Sequence, residues 1–389
     1  MTAWEAMGLG WVVLAGGFSA VTLARLGTRR RAGEATRVPV LLLRPMDAPT
    51  PRELENLACP LDYAGPVEHV VLSPTRPPLP EGVRWRHSEP DTPNRKVGHV
   101  LGALRELSSE GRVVLVVDAD VAVTGALVAG LVAPVAAGAA LSTAVPTPLL
   151  VAGEVAGGTP GLAERAVAAL LRRTHHSFRA LHVMSAGAPA VCGKALGLGE
   201  RALAELPPLA DHIGEDLELS KRLHARGLGV ALCEVPARVP LAPGGWAVAL
   251  ARFTRWMQVL GHHRPGLYPT VPLLFTPTWP LLGLGAWMGS PLVLAGVAAL
   301  GAVRTALSWR LAALSAPPAP TKQEDGGGGD EGAGRRAADW LLGEALLLAA
   351  FLCSLARPPR VSWRGRVYAL QPGGRMSPVW TEVNQGEGA

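Results

Sequence analysis

Three groups of residues in this chain have types and spacings that suit chemistry. The first is Asp118-x-Asp120, which directly follows the run Val113–Val117. Five consecutive β-branched or aliphatic residues read as a buried strand. If the chain stays extended beyond it, the two carboxylates point the same way. The carboxyl end of a buried parallel strand is where open α/β sheets bind ligands. Paired acids there suit a hard divalent cation such as Mg²⁺ or Mn²⁺, and a cation there would hold a diphosphate. The alternative is a strand followed by an Asp-rich turn. The second group is Glu215-Asp216, which heads a helical pattern of Leu217, Leu219 and Leu223 with a stop at Gly227. Acids at a helix start suit the helix dipole, which alone accounts for them. The third is Arg252-x-x-Arg255-Trp256, inside the amphipathic stretch Trp246–His262. Residues three apart share a helix face. Those arginines either touch lipid headgroups from an interfacial helix or reach a phosphate, whose oxygens match the guanidinium fork.

The elements that must position these groups are partly legible. Val38–Leu43 is a short apolar strand, Glu68–Leu72 a second, and the Pro-rich Ser73–Pro80 a loop. A helix over Val97–Leu107 then leads into the Val113 strand. Strand, helix and strand in that order predict an α/β sheet of Rossmann-like character. Val121–Gly153 carries no charge and reads as a membrane span or as a buried helix and strand. Pro134, Pro146, Pro148 and the nearby Asp pair favour a helix over Thr124–Ala137 and a strand over Ala140–Val145. Glu164–Ala180 reads as a polar-faced helix, Gly187–Cys192 as a strand or turn, and Gly229–Val235 as a strand.

Composition sets the surroundings. The 389 residues carry a net charge of +6, yet only 17% are charged and 49% are hydrophobic. The basic excess is arginine beside apolar runs with few aromatics interleaved, which is a membrane-flanking pattern and not a nucleic-acid one. A mean hydropathy of +0.24 fits an integral membrane protein with a sizeable soluble part. Cys59, Cys192, Cys233 and Cys353 are scattered, so they suggest neither a disulfide framework nor a zinc site. Ala6–Ala24 is uncharged and is followed by Arg25, Arg29, Arg30 and Arg31, which reads as a signal anchor with the following chain in the cytoplasm. Pro265–Val303 is uncharged and either combines an interfacial segment with one span or forms a hairpin of two. Pro317–Gly334 is rich in Pro, Gly and acids and reads as a disordered loop. Trp340–Leu355 is a last span, and Arg357, Arg360, Arg364 and Arg366 behind it favour a cytoplasmic C-terminus.

The order Asp118-x-Asp120, Glu215-Asp216, Arg252-x-x-Arg255-Trp256, between a membrane anchor and later apolar spans, resembles the family-2 inverting glycosyltransferases of GT-A fold. Within them it is most similar to the ceramide glucosyltransferase branch and its bacterial relatives that glycosylate lipids such as hopanoids. The resemblance runs from about Val38 to Leu370. Asn94-Arg95-Lys96 resembles that family's Asn-x-Lys segment, Gly187 a glycine of its acceptor-side loop, and Trp363-Arg364-Gly365-Arg366 with Tyr368 its basic-aromatic tail.

The resemblance implies a nucleotide-sugar donor and a membrane-lipid acceptor at the bilayer, with no nucleic-acid partner. It implies that Asp118 and Asp120 lie near the donor diphosphate, Asp120 being the better Mg²⁺ or Mn²⁺ ligand, with Lys96 and Asn94 on the donor side. Asp216, beside Glu215, would be the general base for a lipid hydroxyl. Arg252, Arg255 and Trp256 would stabilise the departing diphosphate. The catalytic domain would face the cytoplasm from the inner membrane, where nucleotide sugars are. The family's early Asp, at the end of its second strand, has no counterpart here; the stretch reads Val71-Leu72-Ser73-Pro74-Thr75, and Asp47 is not an obvious substitute. Gly98 and His99 stand where the family tends to have asparagines. His175 and His176, adjacent, read as incidental or as lining the acceptor side. The alternatives are a processive polysaccharide synthase, against which Arg252 in place of the usual Gln counts, and an inactive membrane partner.

The chain divides accordingly into an N-terminal anchor (1–30), a catalytic domain (35–245), an amphipathic interfacial helix (246–264), a transmembrane region (265–310), a disordered loop (311–338), a transmembrane helix with basic tail (339–370) and a flexible tail (371–389).

Overall fold

The computed structural model describes residues 1–26, 37–149, 161–184, 189–240, 244–315, 332–363 and 366–379. The chain begins with helix α1 (Ala3–Leu26) and enters a sheet at β1 (Val40–Pro45). A short helix α2 (Pro51–Glu55), β2 (Val67–Ser73), β3 (Val83–His87), α3 (Arg95–Leu104) and β4 (Val113–Val117) follow. Next come α4 (Gly125–Ala136), β5 (Leu141–Ala144), β6 (Pro146–Leu149), α5 (Leu162–Met184), β7 (Ala195–Leu198) and the single turn α6 (Glu200–Leu203). The sheet domain closes with α7 (Glu215–Ala225), β8 (Val230–Leu232) and β9 (Ala237–Pro240).

Seven strands form one sheet in the order β3-β2-β1-β4-β7-β5-β8. β1 pairs parallel with both β2 and β4, whereas β7 runs antiparallel between β4 and β5. Both faces are covered, and the alternation along the strands decides which residue meets which layer. Leu41, Leu43, Val114 and Val116 pack with Val97, Val100, Leu219 and Leu223 on the α3 and α7 side. Val40, Leu42, Leu115 and Val117 pack with Leu127, Val128 and Leu131 of α4 on the other. Over its described residues the uncharged stretch after the Asp pair is thus the buried helix α4 followed by β5 and β6, and Thr124 caps α4 by accepting from Leu127 N at 3.3 Å.

Beyond the sheet lie α8 (Trp246–His263), a π-helical turn (Val271–Phe275), α9 (Thr278–Met288), α10 (Pro291–Ser315) and α11 (Gly332–Ala356). Among the described residues, three helices are long and apolar enough to cross a membrane: Ala3–Ala24, Pro291–Leu311 and Asp339–Ala356, with mean hydropathies of 1.7, 1.6 and 1.7. α9, with 11 residues, is too short to span. Exposed Val13, Trp287, Leu292, Leu352 and Leu355 give this helical layer an apolar exterior. Inside it, Arg304 of α10 pairs with Glu344 of α11 and donates to Leu274 O at 2.8 Å; Trp340 Nε1 donates to the same Glu344 oxygen at 3.0 Å.

Several elements depart from the sequence reading. β3 was not anticipated, because its arginines and histidine mask a strand at the sheet edge. Of Gly187–Cys192, Gly187 lies outside the described residues, and the strand begins later, at Ala195. α10 extends to Ser315 and α11 starts at Gly332, into the segment read as disordered. Of the residues read as a basic tail and flexible end, described ones form β10 (Arg360–Trp363), β11 (Arg366–Leu370) and β12 (Met376–Pro378), an antiparallel sheet, and 380–389 lie outside the described residues. Val361, Tyr368, Leu370 and Met376 bury its inner face against Ile213.

Candidate active site

The chemistry-bearing residues converge because the strand ends do. β4 finishes at Val117, and the antiparallel pairing of Val117 with Ala195 brings Lys194 beside Asp118, whose N–H donates to Lys194 O at 2.9 Å. The chain does not stay extended after Val117. Val121 N donates to Asp118 O at 3.1 Å, so Asp118–Val121 is a turn. Arg44, wholly buried at the end of β1, fixes that turn by donating to the carbonyls of Asp118, Ala119 and Val121 at 3.1, 3.0 and 2.9 Å. Burial lowers its pKa to about 10, still far above neutrality, so the guanidinium stays charged.

Two lysines gather the carboxylates. Lys96, on the first turn of α3, contacts Asp118 Oδ1 at 2.8 Å and Glu215 Oε1 at 3.0 Å, and donates to Gly193 O at 2.5 Å. Lys194 reaches Asp118 Oδ2 at 3.1 Å and both oxygens of Asp120 at 2.8 and 2.7 Å. Burial works to raise the Asp118 carboxyl, but the two ammonium groups outweigh it and hold it at about 2. Asn94 caps α3 by accepting from Val97 N at 3.1 Å, and its amide donates to His212 O at 2.8 Å and Glu215 Oε2 at 3.1 Å. It thereby ties the start of α3 to the start of α7.

Asp216 has a different environment. Its Oδ2 accepts from Gly193 N at 2.7 Å and its Oδ1 from Leu217 N at 2.9 Å. Burial, and next the charge of adjacent Glu215, push its pKa up to about 6. The helix start that carries it is clamped from outside. Gly214 takes a left-handed conformation (φ 68°), Ile213 N donates to Gly374 O at 2.9 Å, and Met376 N donates to Asp211 O at 2.7 Å. A side chain at Gly193 would stand 3.1–3.3 Å from Glu215, Asp216 and Lys96 at once, so only glycine leaves these groups undisturbed.

Lys96, Asp118, Asp120, Gly193, Lys194, Glu215 and Asp216 all face one cavity of about 1150 Å³. Its lining includes Pro45–Thr50, Glu53, Pro93 and Arg95, and also the apolar Leu170, Phe178, Leu181, Leu260, Val271, Phe275 and Leu347. Arg252, Arg255 and Trp256 of α8 line it too, and Arg252 lies 5.5 Å from the Trp256 ring centre. Arg366 and Tyr368 of the C-terminal sheet also reach the cavity. Gly187 and Arg364–Gly365 lie outside the described residues, as do the side chains of His175, His176 and Trp363.

Asp47 is among the cavity's lining residues. It accepts from Arg95 Nε at 3.0 Å and from His99 Nε2 at 2.9 Å. Burial, then Arg95, lowers the His99 pKa to about 4, so the ring is neutral and donates from Nε2. Ser73, at the end of β2, is turned inward: it donates to Thr75 O and accepts from Trp85 Nε1, away from the cavity. Lys194, Arg44 and Gly193 carry no motif and escape a sequence reading. One signal marks Lys194: it is the only Lys, Arg, Asp or Glu between Arg179 and Glu200.

Among the described residues no three His, Cys, Asp or Glu side chains form a cation cage. Asp118 and Asp120 fit a more open kind of site. Mg²⁺ and Mn²⁺ take oxygen ligands, and Mg²⁺ is commonly held by one or two carboxylates, with substrate phosphates and water completing the shell. Asp118 is locked between two lysines, whereas Asp120 is held by Lys194 alone and is the more exposed.

No curated relative matches the chain. Two solved structures are similar over most of it: the mannosyltransferase PcManGT from Pyrobaculum calidifontis in complex with GDP-Man and Mn²⁺ (16% identity, 90% of this chain and 99% of that one, TM-score 0.47) and S. aureus TarS 1-349 in complex with UDP-GlcNAc (11%, 87% and 98%, TM-score 0.31). The family model of glycosyl transferase family 21 matches residues 85–376. That match runs from the third strand of the large sheet to the last strand of the small one and takes in every group gathered around Lys96, so the chain belongs to glycosyl transferase family 21 and is a glycosyltransferase of the GT-A type.

Proposed function

We propose that this glycosyltransferase is an inverting enzyme that moves a sugar from a nucleotide-sugar donor, UDP-glucose or UDP-N-acetylglucosamine, to the hydroxyl of a ceramide- or hopanoid-like membrane lipid. The observation that carries the reading is the position of Asp216. Its carboxylate stands in a cavity whose lining is polar where strand termini contribute and apolar where α5, α8, the π-helical turn and α11 contribute. The polar lining suits a nucleoside diphosphate. The apolar lining joins helices long enough to enter a bilayer, which suits an acyl or polycyclic acceptor.

In this reading Asp216 takes the proton of the acceptor hydroxyl as that oxygen bonds to the anomeric carbon. The bond from that carbon to the diphosphate breaks on the opposite face, which inverts the configuration. A positioned base is worth about 10²–10⁴ in rate, and a pKa near 6 leaves it ionised at neutral pH while basic enough to accept a proton. Glu215 keeps that pKa raised and binds Lys96. Arg252 and Arg255 meet the charge that builds on the leaving diphosphate, and Trp256 orients Arg252. Asn94 and Lys96 hold the donor-side carboxylates in register. A bound Mg²⁺ or Mn²⁺ on Asp120, with Asp118 behind it, would act as a Lewis acid toward the diphosphate. The catalytic sheet would lie on the cytoplasmic side of the inner membrane.

The test is transfer of labelled sugar into extractable lipid by membranes carrying the protein, with several UDP-sugars, Mn²⁺ or chelator, beside Asp216→Asn. Labelled lipid that requires both metal and Asp216 is expected. Labelled polymer, or full activity of the Asn variant, would refute the reading.

A further inference from the structure

Lys194 belongs to none of the sequence motifs, yet it makes the closest contacts in the site to Asp120. Both Asp120 oxygens face its ammonium, at 2.8 and 2.7 Å. The carboxylate best placed to take a divalent cation is therefore already occupied by a cation of the protein's own. Lys96 offers a contrast. It is held by Asp118, Glu215 and Gly193 O, three partners from three parts of the fold, and has no freedom to leave them. The Lys194 ammonium is held by two carboxylates of a single turn, Asp120 and, at 3.1 Å, Asp118 Oδ2, while the Lys194 carbonyl accepts from Asp118 N at 2.9 Å. Its charge sits on a flexible four-carbon stem, a compact ammonium able to change partners. The positive charge of Arg252 also acts on Lys194, so an anion entering between them would relieve that repulsion.

We propose that Lys194 is a displaceable counter-ion: it neutralises Asp120 in the donor-free enzyme and swings to the donor diphosphate when that arrives, freeing Asp120 for the metal. Metal and nucleotide then bind as a pair, each strengthening the other by the same factor, as linkage requires. Lys194 becomes a third basic group on the departing diphosphate, with Arg252 and Arg255. The inference rests on the function proposed above, in which Asp120 faces that diphosphate.

The experiment is calorimetric binding of Mn²⁺ to the full chain in detergent, with and without UDP, each variant first checked for a cooperative melt. For the unsubstituted protein UDP should tighten Mn²⁺ binding by about tenfold or more. Lys194→Met should bind Mn²⁺ alone about tenfold more tightly than the unsubstituted protein, with most of the UDP effect gone. Lys194→Arg should keep the coupling, and Lys194→Gln replaces the Met variant if that one does not fold. Unchanged or weaker Mn²⁺ binding by Lys194→Met or Lys194→Gln overturns the proposal. Asp120→Asn separates the two levels: if it binds Mn²⁺ as the unsubstituted protein does, the metal assignment itself fails, whatever Lys194 does.

Discussion

Asp216→Asn probes catalysis and stability through one group. In the folded chain the Asp216 pKa stands at about 6 against an ordinary 3.8. At 1.36 kcal/mol for each pKa unit, keeping this carboxylate ionised costs the fold at most about 3 kcal/mol, and partial solvent contact reduces that to roughly 1–2 kcal/mol. The sign follows from the raised folded value. The relative stabilisation is complete below pH 3.8 and is lost as pH rises through about 6, so at pH 8 the native protein bears the whole cost. Asparagine cannot ionise and escapes it. Asparagine also has one acceptor oxygen for the two N–H groups of Gly193 and Leu217, which returns about 1 kcal/mol at every pH. The informative quantity is therefore the change between pH 4.5 and pH 8. Melting followed in detergent should show the variant gaining roughly 1–2 kcal/mol on the native protein across that range, a few degrees in Tm. Transfer should fall by about 10²-fold or more in the variant, and native transfer should decline below pH 6 as the base protonates. A melting difference that is identical at both pH values, or transfer within a few-fold of native, would refute the reasoning.

Other substitutions address the neighbours of Asp216. Glu215→Gln removes the charge that helps to raise its pKa, so the acid limb of the transfer profile should move to lower pH. Arg255→Ala should lower kcat/KM for the donor by roughly 10–100-fold, the value of one charged hydrogen bond, with little change in melting temperature. Gly214→Ala forces a side chain into φ 68° and to 2.7 Å from Val259, and should destabilise the protein by roughly 1–3 kcal/mol in denaturant melts. Chelation should abolish labelled transfer and added Mn²⁺ restore it, whereas circular dichroism should not change, because Lys96 and Lys194 hold the carboxylates without a metal.

How much of this was legible in the sequence depends on how locally each feature is encoded. β4 was legible because five β-branched or aliphatic residues before an Asp pair read as a buried strand, and α7 because its leucines recur with helical spacing before Gly227, whose φ is 66°. The direction of the two aspartates was not. An extended chain predicts parallel side chains, whereas a turn pinned by Arg44 aims them and Lys194 gathers them. Arg44 comes from β1 and Lys194 from the approach to β7, and only the strand pairing places them together. The C-terminal sheet was hidden for another reason. Its strands are three to five residues long, too short to display alternation, and their arginines resemble the flank of a membrane span. The end of β2 carries no acid; Ser73 stands there, bonded to Thr75 O and Trp85 Nε1. The cavity instead presents Asp47, a residue whose sequence position carries no such expectation.

The clamp on the start of α7 has a consequence for biogenesis. Gly374 and Met376 hold Ile213 and Asp211, and with them the helix that bears Asp216. These residues leave the ribosome after α10 and α11, so the large sheet is synthesised long before the strands that buttress its site. α10 carries Arg304 in its apolar length, and Glu344, its partner, arrives only with α11. A charged side chain near the middle of a span costs about 2.5–3.5 kcal/mol on insertion scales, which favours placing the two helices together. Maturation of the site is thus tied to completion of the apolar helical layer: a chain stalled between these helices has Lys96, Lys194, Asp118 and Asp120 but lacks the strands that hold the start of α7, and with it Asp216, in position.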